Sequence, residues 1–151
     1  MKQILAIVLV AIFFSTAYAS VTATQKITIK VEAINEISVS GDPETFLISE
    51  DKSSIVDSST TYAITTNQTN KKIVANIDKE LPKGLTLKVQ LDPPEGATSN
   101  EVALSTTQQD VVLGMGPVAA KDMKIHYTLI VDEKPETAES SVNVVFTIVD
   151  N

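Results

Sequence analysis

Cysteine, arginine and tryptophan are absent from this chain, and histidine occurs once. Each absence removes a class of chemistry. Without cysteine there is no disulfide, no thiolate metal site and no thiol nucleophile, so stability has to come from packing alone. Without arginine there is no planar fork to grip phosphates or base edges. The chain has 12 lysines against 19 acidic residues, a formal charge of −7 at pH 7. That balance argues against nucleic acid as a partner and against adhesion to anionic lipid head groups. Beyond residue 19 the aromatic side chains are Phe46, Tyr62, Tyr127 and Phe146. They are too few, and too committed to alternating apolar faces, to make a flat sugar-stacking platform.

Long apolar runs are scarce as well. The main one, Ile4 to Phe14, follows Lys2 and precedes Ser15-Thr16-Ala17-Tyr18-Ala19. It is short for a bilayer span, and Ala17 and Ala19 match a small-residue cleavage site. Residues 1–19 therefore read as a secretory signal, with an uncleaved anchor as the alternative. Residues 20–151 are then expected to form a single domain that is secreted, periplasmic or at the cell surface, with no stable membrane insertion after cleavage. Loss of Lys2 takes the formal charge from −7 to −8, because residues 1–19 contain no acid.

What the chain does contain is apolar residues at period two, the spacing of half-buried strands. Ile27, Ile29, Val31 and Ala33 alternate with Lys26, Thr28, Lys30 and Glu32. The phase slips at Ile34 and resumes with Ile37 and Val39, which predicts a bulge or bend. Tyr62 to Thr66 and Lys71 to Ile77 flank the polar Asn67-Gln68-Thr69-Asn70, which predicts a hairpin. Leu85, Leu87, Val89 and Leu91 alternate up to the stop at Asp92-Pro93-Pro94. Shorter pieces follow at Val102–Leu104 and Val111–Leu113. Met123, Ile125, Tyr127, Leu129 and Val131 form the longest alternating set, and Val142, Val144, Phe146 and Ile148 close the chain. Outside the leader no window has helical period. The expectation is an all-β, immunoglobulin-like Greek-key sandwich of about seven to nine strands.

Motifs that carry chemistry are missing. There is no G-x-S-x-G, H-E-x-x-H or P-loop. His126 lies opposite the apolar set Ile125, Tyr127 and Leu129, and the pattern supplies it with neither a nucleophile nor an orienting partner. It reads as a sheet-surface residue whose replacement is expected to cost within about 0.5 kcal/mol. Asp42, Glu44, Glu50, Asp51 and Asp57 do not follow the spacing of a calcium loop and read as solvated acids. Asn67-Gln68-Thr69 matches a glycosylation sequon, which a polar turn also explains. No catalytic residue, metal site or cofactor is expected.

The stretch Thr66 to Ile77, with its polar turn, lysine pair and alternating strand, resembles the major pilins of the alternate chaperone–usher class, the colonisation-factor type. The likeness extends to the front strand, Thr24 to Val31, to the closing strand, Ser141 to Ile148, and to the lack of a disulfide. The resemblance implies an incomplete sandwich whose front strand, within residues 20–33, fills the groove of the next subunit. Ile27, Ile29 and Val31 would be the donor side chains. It also implies a periplasmic chaperone, an outer-membrane usher and a homopolymeric fibre. The function expected is a non-enzymatic structural subunit of a pilus or coat. The alternative is a monomeric β-sandwich binding or accessory module, since a self-complete domain fits the same residues.

Overall fold

The computed structural model describes residues 22–43, 45–48, 53–133 and 139–151. The expected leader lies outside them. The chain divides between Val31 and Glu32 into two units. In the second, ten strands follow one another: β1 (Asn35–Ser40), β2 (Ser54–Asp57), β3 (Thr61–Thr66), β4 (Lys71–Ile77), β5 (Leu85–Leu91), β6 (Thr98–Ser99), β7 (Val102–Ala103), β8 (Gln109–Met115), β9 (Val118–Val131) and β10 (Val144–Asp150). There is no helix among the described residues. One sheet has the order β1-β3-β9-β5-β7, with β2 also paired to β9, and the other runs β10-β4-β8-β6. All pairings are antiparallel.

Alternation explains how the layers meet. Tyr62 and Ile64 of β3, Val89 and Leu91 of β5, and Ile125 and Tyr127 of β9 enter one buried cluster with Ile73, Ala75 and Ile77 of β4 and Val111 and Met115 of β8. The two sheets therefore pack face to face as a β-sandwich. A fully covered side chain of this size contributes about 1.5–3 kcal/mol, and with no cysteine this burial carries the fold.

Three expectations are corrected. Tyr62–Thr66 and Lys71–Ile77 do not form a hairpin. β3 pairs with β1 and β9, whereas β4 pairs with β10 and β8. Residues 67–70 are an arch between layers, with Asn70 in the left-handed region at φ 59°. Both strands turn an apolar face to the core, one from each layer. The front segment, predicted as a half-buried strand, is exposed and outside any sheet, and regular pairing begins at Asn35. Finally, β9 starts at Val118, five residues before the expected Met123. The extra length carries the pairing with β3, around Asp122 at φ 57°.

β2 and β3 run in line along the same edge of β9. Asp57 faces Tyr127 and Thr61 faces Lys124, so residues 58–60 stand opposite residues 125–126. The one extra residue makes a bulge opposite His126. Ile125 N–H donates to the Thr60 carbonyl there, and the Thr60 side chain is fully buried.

Gly84 closes the β5–β9 end of the sandwich. Its carbonyl accepts from the N–H groups of Asp132 and Glu133. Its φ is +84°, and a Cβ there would lie 2.6 Å from the Glu133 Cβ and closer still to the Glu133 carbonyl oxygen. Gly96 has a similar φ of +79° with open space around it. Gly96→Ala should therefore cost about 1–2 kcal/mol, the left-handed term alone. Gly84→Ala should exceed it by at least ~1 kcal/mol, because the Glu133 backbone must move. Urea midpoints of the two variants make the comparison.

Candidate functional site

β1 and β10 are the outermost strands on the same side of the two sheets. Among the described residues each is paired along one edge only, β1 to β3 and β10 to β4. Register places Ile37 opposite Ile64 and Val39 opposite Tyr62. On the other layer Val144 faces Ile77, Phe146 faces Ala75 and Ile148 faces Ile73. Residues directly opposite in an antiparallel pair share a face, so these five side chains all point into the core.

Their coverage is incomplete. The partners one strand deeper, Tyr62, Ile64, Ile73, Ala75 and Ile77, are at most 1% exposed. Ile37, Val144, Phe146 and Ile148 are only half-buried, and Val39 is 47% exposed. The half-covered apolar strip where β1 and β10 meet is the candidate groove. Among the described residues the outer edges of both strands are unpaired.

Short polar side chains secure the ends of the groove strands. At the start of β10, Asn143 N–H donates to Asp78 Oδ1 at 2.8 Å and Asn143 Nδ2 to Asp78 Oδ2 at 2.7 Å. Those bonds hold the Asp78 carboxyl below the usual carboxylate range. At its end, Lys71 Nζ pairs with Asp150 at 2.5 Å and Asn151 N–H donates to the Asn70 carbonyl. At the start of β1, the side chain of Asn67 binds the backbone of residues 32 and 34. The sequon asparagine thus has its amide engaged.

Ile27, Ile29 and Val31, the expected donor side chains, are 76%, 84% and 80% exposed. They lie in the first unit, upstream of the Val31–Glu32 boundary. The groove residues of β10 have no distinctive signal in the sequence. Val145 and Val149 are as apolar as Val144 and Ile148, so only register shows which of them face inward.

His126 is better connected than its sequence context suggests. Its Nδ1 lies 2.8 Å from Ser58 Oγ and its Nε2 3.0 Å from Asp92 Oδ1. A carboxylate only accepts, so in the neutral ring Nε2–H donates to Asp92 and Nδ1 accepts from the Ser58 hydroxyl. The order is that of a nucleophile, a base and an orienting acid. Acyl chemistry also needs amide donors beside the nucleophile. The neighbouring Ser59 N–H is instead directed to Asp57 Oδ2 at 3.4 Å. The trio stands at a bulge on the outer face of the sheet and ties the β2–β3 bulge, β9 and the end of β5 together. It is read here as a structural bridge. Among the described acids, Asp42 is exposed and Asp57 is buried against Ser59. Glu44, Glu50 and Asp51 lie outside the described residues. No group of three or more His, Asp or Glu side chains among the described residues could hold a metal ion. Among the described residues there is no helix long and apolar enough to cross a membrane.

The chain matches no family model, no curated protein and no solved structure.

His126→Ala removes both bonds of the bridge and should lower stability by about 1–2 kcal/mol, more than a bare surface position would give. Denaturant titration reads this directly. Tyr127 is pushed up to about 12 by burial and then by the Asp57 charge, and Tyr62 is raised by burial and then by Asp92. Unfolded tyrosine ionises near ~10. The stabilisation from these neutral phenols is thus fully present below about pH 10 and is lost as pH rises through the folded values. The urea midpoint should stay level up to about pH 9.5 and fall beyond it. Tyr127→Phe should flatten that fall.

Proposed function

We propose that this protein is a non-enzymatic, exported structural subunit that assembles into a pilus-like fibre or surface coat by β-strand addition. The observation that carries the reading is a mismatch within one chain. The core-facing side chains of β1 and β10 are half-covered, while Ile27, Ile29 and Val31 are exposed with no core of their own. The spacing agrees. The three donors sit at every second residue, as do Val144, Phe146 and Ile148, and each set spans about 13 Å of strand. A strand laid along β10 would satisfy the free backbone edge while its alternate side chains finish the core.

On this reading the sandwich is of immunoglobulin-like Greek-key type and lacks its last strand, which a second copy of the chain supplies. Residues 1–19 act as the export signal. An open groove in a newly exported subunit is an aggregation hazard. A periplasmic chaperone that occupies it and an outer-membrane usher that accepts the subunit are the partners this requires.

Ile29→Asp separates assembly from folding. A carboxylate carried into an apolar groove loses its hydration without gaining a partner, at a cost of several kcal/mol per joint. The exported variant should keep its circular dichroism spectrum but give no high-mass ladder on electrophoresis without heating. Thr28→Asp, on the opposite face of the strand, should affect assembly far less. Strand donation is wrong if Ile29→Asp assembles normally, or if it unfolds the monomer.

A further inference from the structure

Asn67 does something that a turn residue has no need to do. The last regular pair between β1 and β3 is Asn35 with Thr66, so the next rung would join Ile34 to Asn67. Half of that rung is ordinary, with Asn67 N–H donating to the Ile34 carbonyl at 3.3 Å. The other half is not. Ile34 N–H donates to the Asn67 side-chain Oδ1 at 2.9 Å. Asn67 Nδ2 then reaches on and donates to the Glu32 carbonyl at 2.7 Å. One side-chain amide, with its acceptor and donor in a fixed plane, stands in for the backbone that β3 withdraws when it turns into the arch.

The neighbours hold that amide in place. Thr66 Oγ1 donates to Asn35 Oδ1 at 2.8 Å, and Asn35 Nδ2 donates to Gln68 Oε1 at 2.9 Å. The Gln68 N–H donates back to Thr66 Oγ1 at 3.1 Å. A second observation coincides with the latch. The boundary between the two units falls between Val31 and Glu32, immediately upstream of the outermost latch bond.

We propose that Asn67 is the positioning residue of the N-terminal arm. Its amide fixes the chain at Glu32 and Ile34, at the root of the segment that carries Ile27, Ile29 and Val31. The function of that root rests on the strand-donation reading. With the root held, Ile27, Ile29 and Val31 are the side chains available to a second copy of this chain. With the root loose, residues 32–34 join the arm, which is longer and samples more conformations before it docks, and that ordering cost opposes assembly.

The test uses the full exported chain with Asn67→Ala and Asn67→Asp, and reads two quantities. The first is hydrogen exchange at the Ile34 amide, followed by NMR in the monomer. Protection should fall about tenfold in Asn67→Ala, the loss of one good hydrogen bond. It should largely survive in Asn67→Asp, which keeps an acceptor for Ile34 while losing the donor to Glu32. The amides of Ile73 and Val89 in the core should not change in either. The second is the rate of ladder formation, which should drop several-fold in both variants at an unchanged urea midpoint. Ile34 protection that is the same in Asn67→Ala overturns the latch. Protection lost with assembly at the wild-type rate makes Asn67 a local cap and overturns its positioning role. A wild-type chain that never assembles sinks strand donation instead, and the exchange result then decides the latch by itself.

Discussion

β10 is held to the rest of the sandwich along one edge by β4, and β1 is held along one edge by β3. Those two single-sided attachments lie on the same side of the two layers, and they set the rest of the chain's character. A sheet leaves its outermost strand with an unpaired row of backbone groups. Where two such strands flank the same core, the side chains beneath them lose cover from both layers at once. The graded exposure from Ile64 to Ile37 on one sheet, and from Ile73 to Ile148 on the other, is that loss read residue by residue. No cysteine is present to cross-link the gap.

Strands attached in this way fray unless their ends are tied. The chain ties them with short polar side chains that take over from backbone where the ladder stops. Asp78 receives Asn143 at the start of β10, Asn151 reaches Asn70 at its end, and Asn67 holds residues 32 and 34 before β1. Each acts within a residue or two of the last rung, where a neighbouring strand turns away and a carbonyl or N–H would otherwise be left to water. His126 plays a related part on β9, in the middle of the sheet that β1 edges, where the bulge opposite it would otherwise loosen the run from β2 into β3.

Several of these features were legible before folding was considered. The period-two sets Leu85–Leu91, Met123–Val131 and Val142–Ile148 locate β5, most of β9 and β10. Their inward residues are the expected ones, because burial of one face needs only alternation. The short β2 and β6 were missed, since Ser54–Asp57 and Thr98–Ser99 carry too few apolar residues to show a period. The arch at Asn67–Asn70 reads as a hairpin in the sequence because a polar break between two alternating runs looks the same whether the next strand pairs or changes sheet. The partners of His126 were invisible for a similar reason. Ser58 and Asp92 are 68 and 34 residues away in the chain, and nothing local marks either as a contact.

By itself, then, the amino-acid sequence determined that the chain is all-β, that no disulfide supports it, and which face of each long strand is apolar. These are properties of neighbouring residues and of composition, and they hold however the strands are arranged. Which strands share a sheet, which lie at its edges, and hence where apolar side chains are only half-covered were decided only by tertiary structure. Edge position is not a property of a strand. Val144, Phe146 and Ile148 would be as deeply covered as Ile73, Ala75 and Ile77 if another strand lay beside them. Their exposure records the absence of a second neighbour among the described residues, and pairing across 60 or more residues of chain sets that.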